Sequence, residues 1–333
     1  MTPITIKDVA KIANVSPSTV SRVISNNPKI SEATKLRVNA AMEELHYQPN
    51  QIARSLTNKS TKTLGLLLPG SEDDLLTNPF FIQAMRGISS YAKKRGYYIL
   101  LAHADKNEDE TDVLNKLIGS KWVDGIILTT VKDNDNRIKF LKSRKAQFVV
   151  IGKPDDEEHT LWVDNDNVNA MFNVVDMLIK KGHRTIGFIG GADEFKVTKY
   201  RLLGYLKALQ SNNIITDLNL VHEKDYTEDA AYEATNEIIE YKMPDAIVTT
   251  DDLIAFGVQR ALIERNLNDI ALVGFNNTSL SQYKTPSISS VDINAEKLGM
   301  FAVKLLIGQI EGEEMATNSY IIDTKFVERD STK

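Results

Sequence analysis

The hydrophobic pattern of this chain changes period once, near Thr63, and that change limits it to two kinds of folding unit. Before Thr63, apolar residues recur at helical spacing in short stretches bounded by caps and turn residues. After it, brief apolar runs alternate with longer amphipathic stretches, the pattern of strands exchanged with helices.

The first 62 residues begin with TIKDVAKIANVSPSTVSRVISNN. Thr5 and Asp8 make a Thr-x-x-Asp variant of the capping box, and Val9, Ala10 and Ala13 then share one helical face. Asn14 sits where a tight turn needs a left-handed residue, and Val15 is placed to close a small core. Ser16 is a good N-cap and Pro17 suits the first position of a second helix running through Ile24. Two short helices joined by such a turn make a helix-turn-helix. Ser31 caps a third helix, whose Leu36, Val38, Ala41, Met42 and Leu45 are expected to complete the core. His46, Tyr47, Gln48 and Pro49 end it.

A helical hairpin inside some enzyme would show a similar core, but its outer face would carry a Glu/Lys mixture. Here the outer face of the second helix carries Ser16, Ser18, Thr19, Ser21 and Arg22, donors suited to phosphates and base edges. Charge points the same way. Residues 1–62 hold nine Lys/Arg against four Asp/Glu, net +5, while the remainder holds 31 against 41, net −10. Positive charge confined to one end is what a phosphate-binding module requires.

From Thr63 onward, TLGLLLPG, YYILLA, GIILTT and FVVIG read as buried strands, interleaved with helices over 79–95, 109–120 and 134–144. After VDNDN the alternation restarts with TIGFIGG, AIVTT and IALVGF as strands and helices over 165–182, 195–212, 227–241 and 252–265. Strand–helix alternation means α/β structure, here two doubly wound parallel sheets. Ligands in such sheets bind beyond the carboxyl ends of the strands, so two facing units create a cleft. Asn78, Phe80 and Phe81, then Arg201, Tyr226, Asp251 and Asn276, lie at or just beyond strand ends, and planar polar groups beside aromatic rings suit a polyhydroxylated ligand. Trp162, just before VDNDN, offers another stacking face. Core packing is the competing role for Phe80 and Phe81, and capping of the following helix is the expected role of Asp252.

Several classes are excluded or disfavoured. With no Cys, disulfide frameworks and thiolate metal sites are impossible, and the five His lack metal-ligand spacing, so no metal and no cofactor are expected. No long apolar span appears, which points to a cytoplasmic protein without a membrane partner. There is no Walker-type loop, no G-x-S-x-G elbow and no H-E-x-x-H, so no catalytic residues and no enzymatic activity are expected. A sugar-binding transport protein would account for residues 63–333 but has no use for a basic helix-turn-helix.

The segment IKDVAKIANVSPSTVSRVI resembles the headpiece of the LacI/GalR family of transcriptional regulators, and the NPFF stretch and GFNN turn resemble the maltose-operon repressors of Gram-positive bacteria within it. The resemblance implies a headpiece at 1–49, a hinge helix and linker at 50–62, and a periplasmic-binding-protein-like effector domain at 63–333. Crossovers near 162, 291 and 321 would then divide that domain into an N-subdomain, about 63–161 and 292–321, and a C-subdomain, about 162–291 and 322–333. It further implies that Pro17, Ser18 and Arg22 face bases. Ser16, Thr19, Ser21, Ser31, Thr34, Tyr47 and Asn50 would meet phosphates. Ala53, Arg54 and Leu56 would enter the minor groove, Leu56 as a wedge that kinks the duplex. A nine-residue segment is too short to be a stable helix alone, so the hinge is expected to fold only between paired protomers on DNA.

Residues matching Arg201, Asp251 and Asn276 contact the effector in the family, and the position of Tyr226 carries a stacking aromatic. Members often have GFDD or GYDD where this chain has GFNN, so an amide stands in place of a carboxylate at 276. The implied function is a homodimeric repressor of a carbohydrate operon, binding double-stranded operator DNA and released by a small sugar, maltose or a maltodextrin. Two alternatives stay open: a repressor for another sugar, and a global catabolite regulator answering to a phosphorylated carrier protein. Inducer and corepressor are equally admissible for the effector's sign.

Overall fold

Thr5 opens helix α1 (Ile6–Ile12): its backbone N–H and its hydroxyl both donate to Asp8, at 2.8 and 2.7 Å, the returning half of the capping box. The computed structural model describes residues 4–25, 27–48, 60–69, 78–104 and 108–333, which fall into two compact units, Met1–Thr61 and Lys62–Lys333. In the first unit Asn14 is left-handed, with φ 54°, and makes the turn. Ser16 then caps α2 (Pro17–Ile24) by accepting from the Thr19 N–H at 3.1 Å, and Ser31 caps α3 (Glu32–Glu44) by accepting from that of Thr34 at 3.4 Å. Val9, Ala10, Ala13, Val20, Val23, Val38 and Ala41 are buried together, with Val15, Met42 and Leu45 packed on them.

Leu36 corrects the sequence expectation, since it is 69% exposed. The reason is angular. Val38, Ala41, Met42 and Leu45 follow the spacing that keeps one helical face, whereas Leu36 lies two residues before Val38 and about 200° around the helix from it. Asn50, Ala53, Arg54 and Leu56 lie outside the described residues.

The second unit holds two six-stranded sheets. The first comprises β1 (Thr63–Leu67), β2 (Tyr98–Ala102), β3 (Gly125–Leu128), β4 (Phe148–Ile151), β5 (Leu161–Asn165) and β11 (Ser319–Ile322), all parallel in the order β11-β5-β4-β3-β1-β2. The second comprises β6 (Ile186–Gly190), β7 (Val221–Glu223), β8 (Ala246–Thr249), β9 (Ala271–Phe275), β10 (Ser289–Asp292) and β12 (Lys325–Val327), in the order β12-β10-β9-β8-β6-β7. Only the edge strand β12 runs antiparallel, on β10.

Successive residues of one strand enter different cores, which is why these strands read as continuous apolar runs. Val149 and Ile151 of β4 join the large cluster that continues into the second sheet's lobe, while Phe148 and Val150 join a separate cluster with Leu114, Leu141 and Trp162. The chain leaves the first sheet after Asn165, returns to it through the helix Ala295–Glu311, and passes back after Ile322. The first passage was expected near 162, but β5 is paired along its length with β4 and β11, which moves it past Asn165. No helix among the described residues is long and apolar enough to cross a membrane.

Candidate functional site

The first candidate face is the outside of α2. Val20 and Val23 point into the headpiece core, and the same helical period leaves Pro17, Ser18, Ser21 and Arg22 exposed. Ser16 Oγ, while accepting the cap bond from Thr19, also lies 2.8 Å from Ser18 Oγ and 2.9 Å from Thr19 Oγ1. Ser31 Oγ lies 2.9 Å from Thr34 Oγ1 in the same arrangement at α3. These hydroxyls therefore sit at helix N-termini, where unpaired backbone N–H groups and the helix dipole favour an anion. The Tyr47 ring packs on the headpiece core. Among the described residues the Arg22 guanidinium has no ion-pair partner within the chain, so its donors remain for an external acceptor.

The second candidate site is a cavity of about 450 Å³ between the two sheets of the second unit, at the carboxyl ends of their strands. Phe80, Phe81, Arg201, Tyr226, Asp251 and Asn276 all line it. Trp162 does not. Three residues short of the carboxyl end of β5, its ring is buried against Phe148 and Val150, and its Nε1–H donates to the Glu157 carbonyl at 3.3 Å. Position along the strand decides this, because the cavity lies beyond the carboxyl end of β5, where Asp164 and Asn165 line it, and Trp162 sits near the opposite end.

Asp251 organises the cleft floor. Its Oδ1 accepts from the Leu253 N–H at 2.7 Å, and its Oδ2 accepts from Asn78 at 3.0 Å and Asn276 at 2.7 Å. It is therefore the cap of the helix Asp252–Glu264, the role expected of Asp252. Asp252 turns away instead, accepting from Ser290 through one oxygen and from Thr278 and Ser281 through the other, which ties the loop after β9 to β10. Asn276 (φ 93°) and Asn277 (φ 47°) are both in the left-handed region. The amide at 276 matters chemically, because it can donate to Asp251 where a second carboxylate would repel it.

Arg201 is 4% exposed. Its Nε–H donates to Asn167 at 2.9 Å, another of its N–H groups donates to the Thr250 carbonyl, and its plane lies 4.1 Å from the centre of the Phe275 ring. Burial lowers its pKa, against the opposing pull of Tyr226, Asp251 and Asp164. Asp164 accepts from the Asn165 N–H at 2.8 Å and from Asn167 at 2.9 Å. Burial pushes both Asp164 and Asp251 up to about 6. Tyr226 bonds Thr198 at 2.9 Å through its hydroxyl and meets Phe195 edge to face at 5.7 Å. Gly191 is what admits that ring, since a Cβ there would fall 2.0 Å from it.

The lobes also meet at the cleft's side. The Lys196 N–H donates to the Val131 carbonyl at 3.0 Å and the Asp133 N–H to that of Glu194 at 3.1 Å. Lys132–Glu194, Lys196–Asp155 and Lys199–Asp133 are ion pairs across the same seam. Glu110, Thr130, Asp164, Phe195 and Lys196 line the cavity without having been singled out from the sequence. Asp164 was legible as part of a polar run ending an apolar strand; the others needed the tertiary arrangement. Among the described residues no group of His, Asp and Glu is arranged to hold a metal ion.

Residues 5–50 match the family model described as bacterial regulatory proteins, lacI family, and residues 175–332 match that of a periplasmic binding protein-like domain. The chain is 38% identical, over 92% of both proteins, to the HTH-type transcriptional regulator MalR of Streptococcus pneumoniae. A solved complex of the transcriptional regulator CelR with cellobiose superposes with a TM-score of 0.77 at 28% identity, over 98% of this chain and 99% of that one. The lac repressor dimer bound to operator superposes with a TM-score of 0.84 at 24% identity, over 99% of each chain, a likeness of fold.

Proposed function

This chain belongs to the lacI family of bacterial regulatory proteins and is a transcriptional repressor rather than an enzyme, and from that premise we propose that it works as a cytoplasmic homodimer controlling a carbohydrate-utilisation operon. Two headpieces place α2 in successive major grooves of a near-palindromic site, with Pro17, Ser18 and Arg22 toward bases. Ser16, Thr19, Ser21, Ser31, Thr34, Tyr47 and Asn50 hold phosphates and set register. Ala53, Arg54 and Leu56 enter the minor groove between half-sites. The 1–49, 50–62 and 63–333 partition serves as headpiece, hinge and effector domain.

The effector is a sugar, and we favour maltose or a maltodextrin. The observation that carries this reading is the cleft itself: Arg201, Asp251, Asn78 and Asn276 present fixed donors and acceptors beside Phe80 and Phe81, in a cavity already bridged across both lobes. A polyhydroxylated ligand satisfies both sets of polar groups and stacks its apolar face on the rings. The resemblance to a MalR regulator supports the maltose assignment. Binding between the lobes changes their relative position, and a coupling of about 1 to 3 kcal/mol to the hinge is enough for ordinary control.

The test is a selection of DNA from a random pool by the full-length chain, followed by titration of maltose into the resulting complex. A near-palindromic consensus released by maltose is the expected result. Release by another sugar would retain the repressor and replace its effector, and a site lacking two-fold symmetry would remove the dimeric reading.

A further inference from the structure

Arg137 is 3% exposed, and its guanidinium is consumed by its surroundings. Nε and Nη2 donate to the Asp135 carboxylate at 2.9 and 2.6 Å, Nη2 also donates to the Thr130 carbonyl at 3.0 Å, and Nη1 donates to Glu110 Oε1 at 3.2 Å. Buried ion pairs of this kind are weak stabilisers, because desolvation offsets their attraction. What the cluster does achieve is geometric. It fixes the loop carrying Thr130 and aims one carboxylate, that of Glu110, at the cavity.

Glu110 occupies the first turn of the helix Glu110–Gly119, where any acid is favoured by the helix dipole. Dipole preference alone is equally met by Asp112 in the same turn and does not account for a link to a buried arginine. Glu110 lines the cavity, its side chain 20% exposed, and among the described residues only its Oε1 has a hydrogen-bond donor. The Lys132 ammonium stands 3.6 Å from Oε2, beyond hydrogen-bond reach. The cavity thus has two polar poles. One is Arg201, Asp251, Asn78 and Asn276; the other is Glu110, Thr130 and Lys132; no hydrogen bond or ion pair among the described residues joins them.

We propose that Glu110, held by Arg137 as a positioning residue, is a recognition residue of the cleft that accepts a hydroxyl hydrogen from the sugar unit farthest from Arg201. The inference rests on the cleft being the effector site and deepens that reading: the ligand is a neutral saccharide of at least two units. A carboxylate has only acceptors to offer, so it selects a hydroxyl and repels a phosphorylated or acidic sugar at that pole.

The experiment is isothermal titration of the full-length protein, wild type, Glu110→Gln and Glu110→Asp, with maltose and separately with glucose, with thermal melting to show that each variant is folded. The wild type prefers maltose, and that preference falls about tenfold in both variants, the size expected for one hydrogen bond to a charged group. The Asp variant keeps the charge and the tie to Arg137 in kind but shortens the reach, so it separates recognition from folding. A wild type without preference for the disaccharide, or variants that retain the wild-type preference, overturn the inference while leaving the sugar effector standing. A wild type that binds neither sugar overturns the maltose reading of the effector, and this inference with it.

Discussion

The Asn78 amide donates to Asp251 Oδ2 at 3.0 Å, a buried hydrogen bond between the first sheet's lobe and the second's. Asn78 is also the cap of the helix Pro79–Lys94, accepting from the Phe80 N–H at 3.0 Å, so the same side chain orients Phe80 and grips the opposite lobe. Its two ends do different work. Asn78→Ala is expected to weaken effector binding by about tenfold, since a hydrogen bond to a charged group contributes about 1.5 to 3 kcal/mol. Small-angle scattering of the same variant should show a wider lobe separation. An affinity equal to wild type would mean that the interlobe bond does not contribute to the bound state.

Much of this fold is legible in the sequence itself. Asn14, Ser16 and Ser31 are local devices whose residue types follow from a left-handed turn and two helix N-termini, so no distant contact was needed to place them. The central strands were legible for a related reason, being buried on both faces and hence apolar throughout. The edge strand Tyr98–Ala102 was legible too, as YYILLA, but as an edge it is exposed to half-buried rather than buried as expected; the shortest edge elements were not legible. Val221–Glu223 and Lys325–Val327 have three residues each and lack a two-sided apolar run, so only pairing with a neighbour defines them. Trp162 stands too far from the carboxyl end of its strand to reach the cavity, which the apolar run does not mark. Asp251 takes the cap expected of Asp252 while keeping its place in the cavity, because one residue of helix register separates a cap from a first-turn side chain. Glu110 carried no local mark, since its meaning depends on Arg137, 27 residues away.

Asp164 gives a prediction about pH. Its folded value of about 6 lies above the ordinary carboxyl range of about 3.9, so folding favours its protonated form. That contribution to stability is fully present below about pH 4 and is lost as pH rises through about 6. Asp164→Asn keeps an oxygen to accept from Asn165 and Asn167 and cannot ionise. Relative to wild type, the variant should therefore gain stability between about pH 4 and pH 8, by an amount on the order of 2 to 3 kcal/mol. Urea unfolding at those two values measures it, and a wild-type-to-variant difference that does not move with pH would refute the burial argument.

Gly191 tests whether the Tyr226 ring matters to signalling rather than to folding. A Cβ at 191 would lie 2.0 Å from the ring, and the ring's displacement would break the 2.9 Å bond between Tyr226 and Thr198. Gly191→Ala is expected to hold the operator normally without sugar and to resist release when sugar is added, because the disturbance is confined to the cleft. Fluorescence anisotropy of labelled operator across a maltose titration reads both halves. Loss of operator binding in the sugar-free protein would show that the damage spreads beyond the site.

Ser16 and Arg22 separate register from reading on the same helix. Ser16 accepts from the Thr19 N–H at 3.1 Å, so Ser16→Ala removes a cap worth about 1 kcal/mol of headpiece stability along with one hydroxyl at the helix N-terminus. Its effect on affinity should be the same for every DNA sequence, since a phosphate contact carries no base information. Arg22 is exposed, its guanidinium has no partner among the described residues, and only it among the α2 side chains can make a bidentate pair with guanine. Arg22→Ala should cost about 1 to 3 kcal/mol on the preferred site and far less on a site mutated at one base pair, because a contact already lost cannot be lost again. The two variants crossed with the two DNA sites make a double-mutant cycle. Coupling at one base pair for Arg22 and none for Ser16 is the expected outcome. Equal weakening by Arg22→Ala on both sites would instead make Arg22 a phosphate anchor, and the burden of base recognition would pass to Pro17 and Ser18.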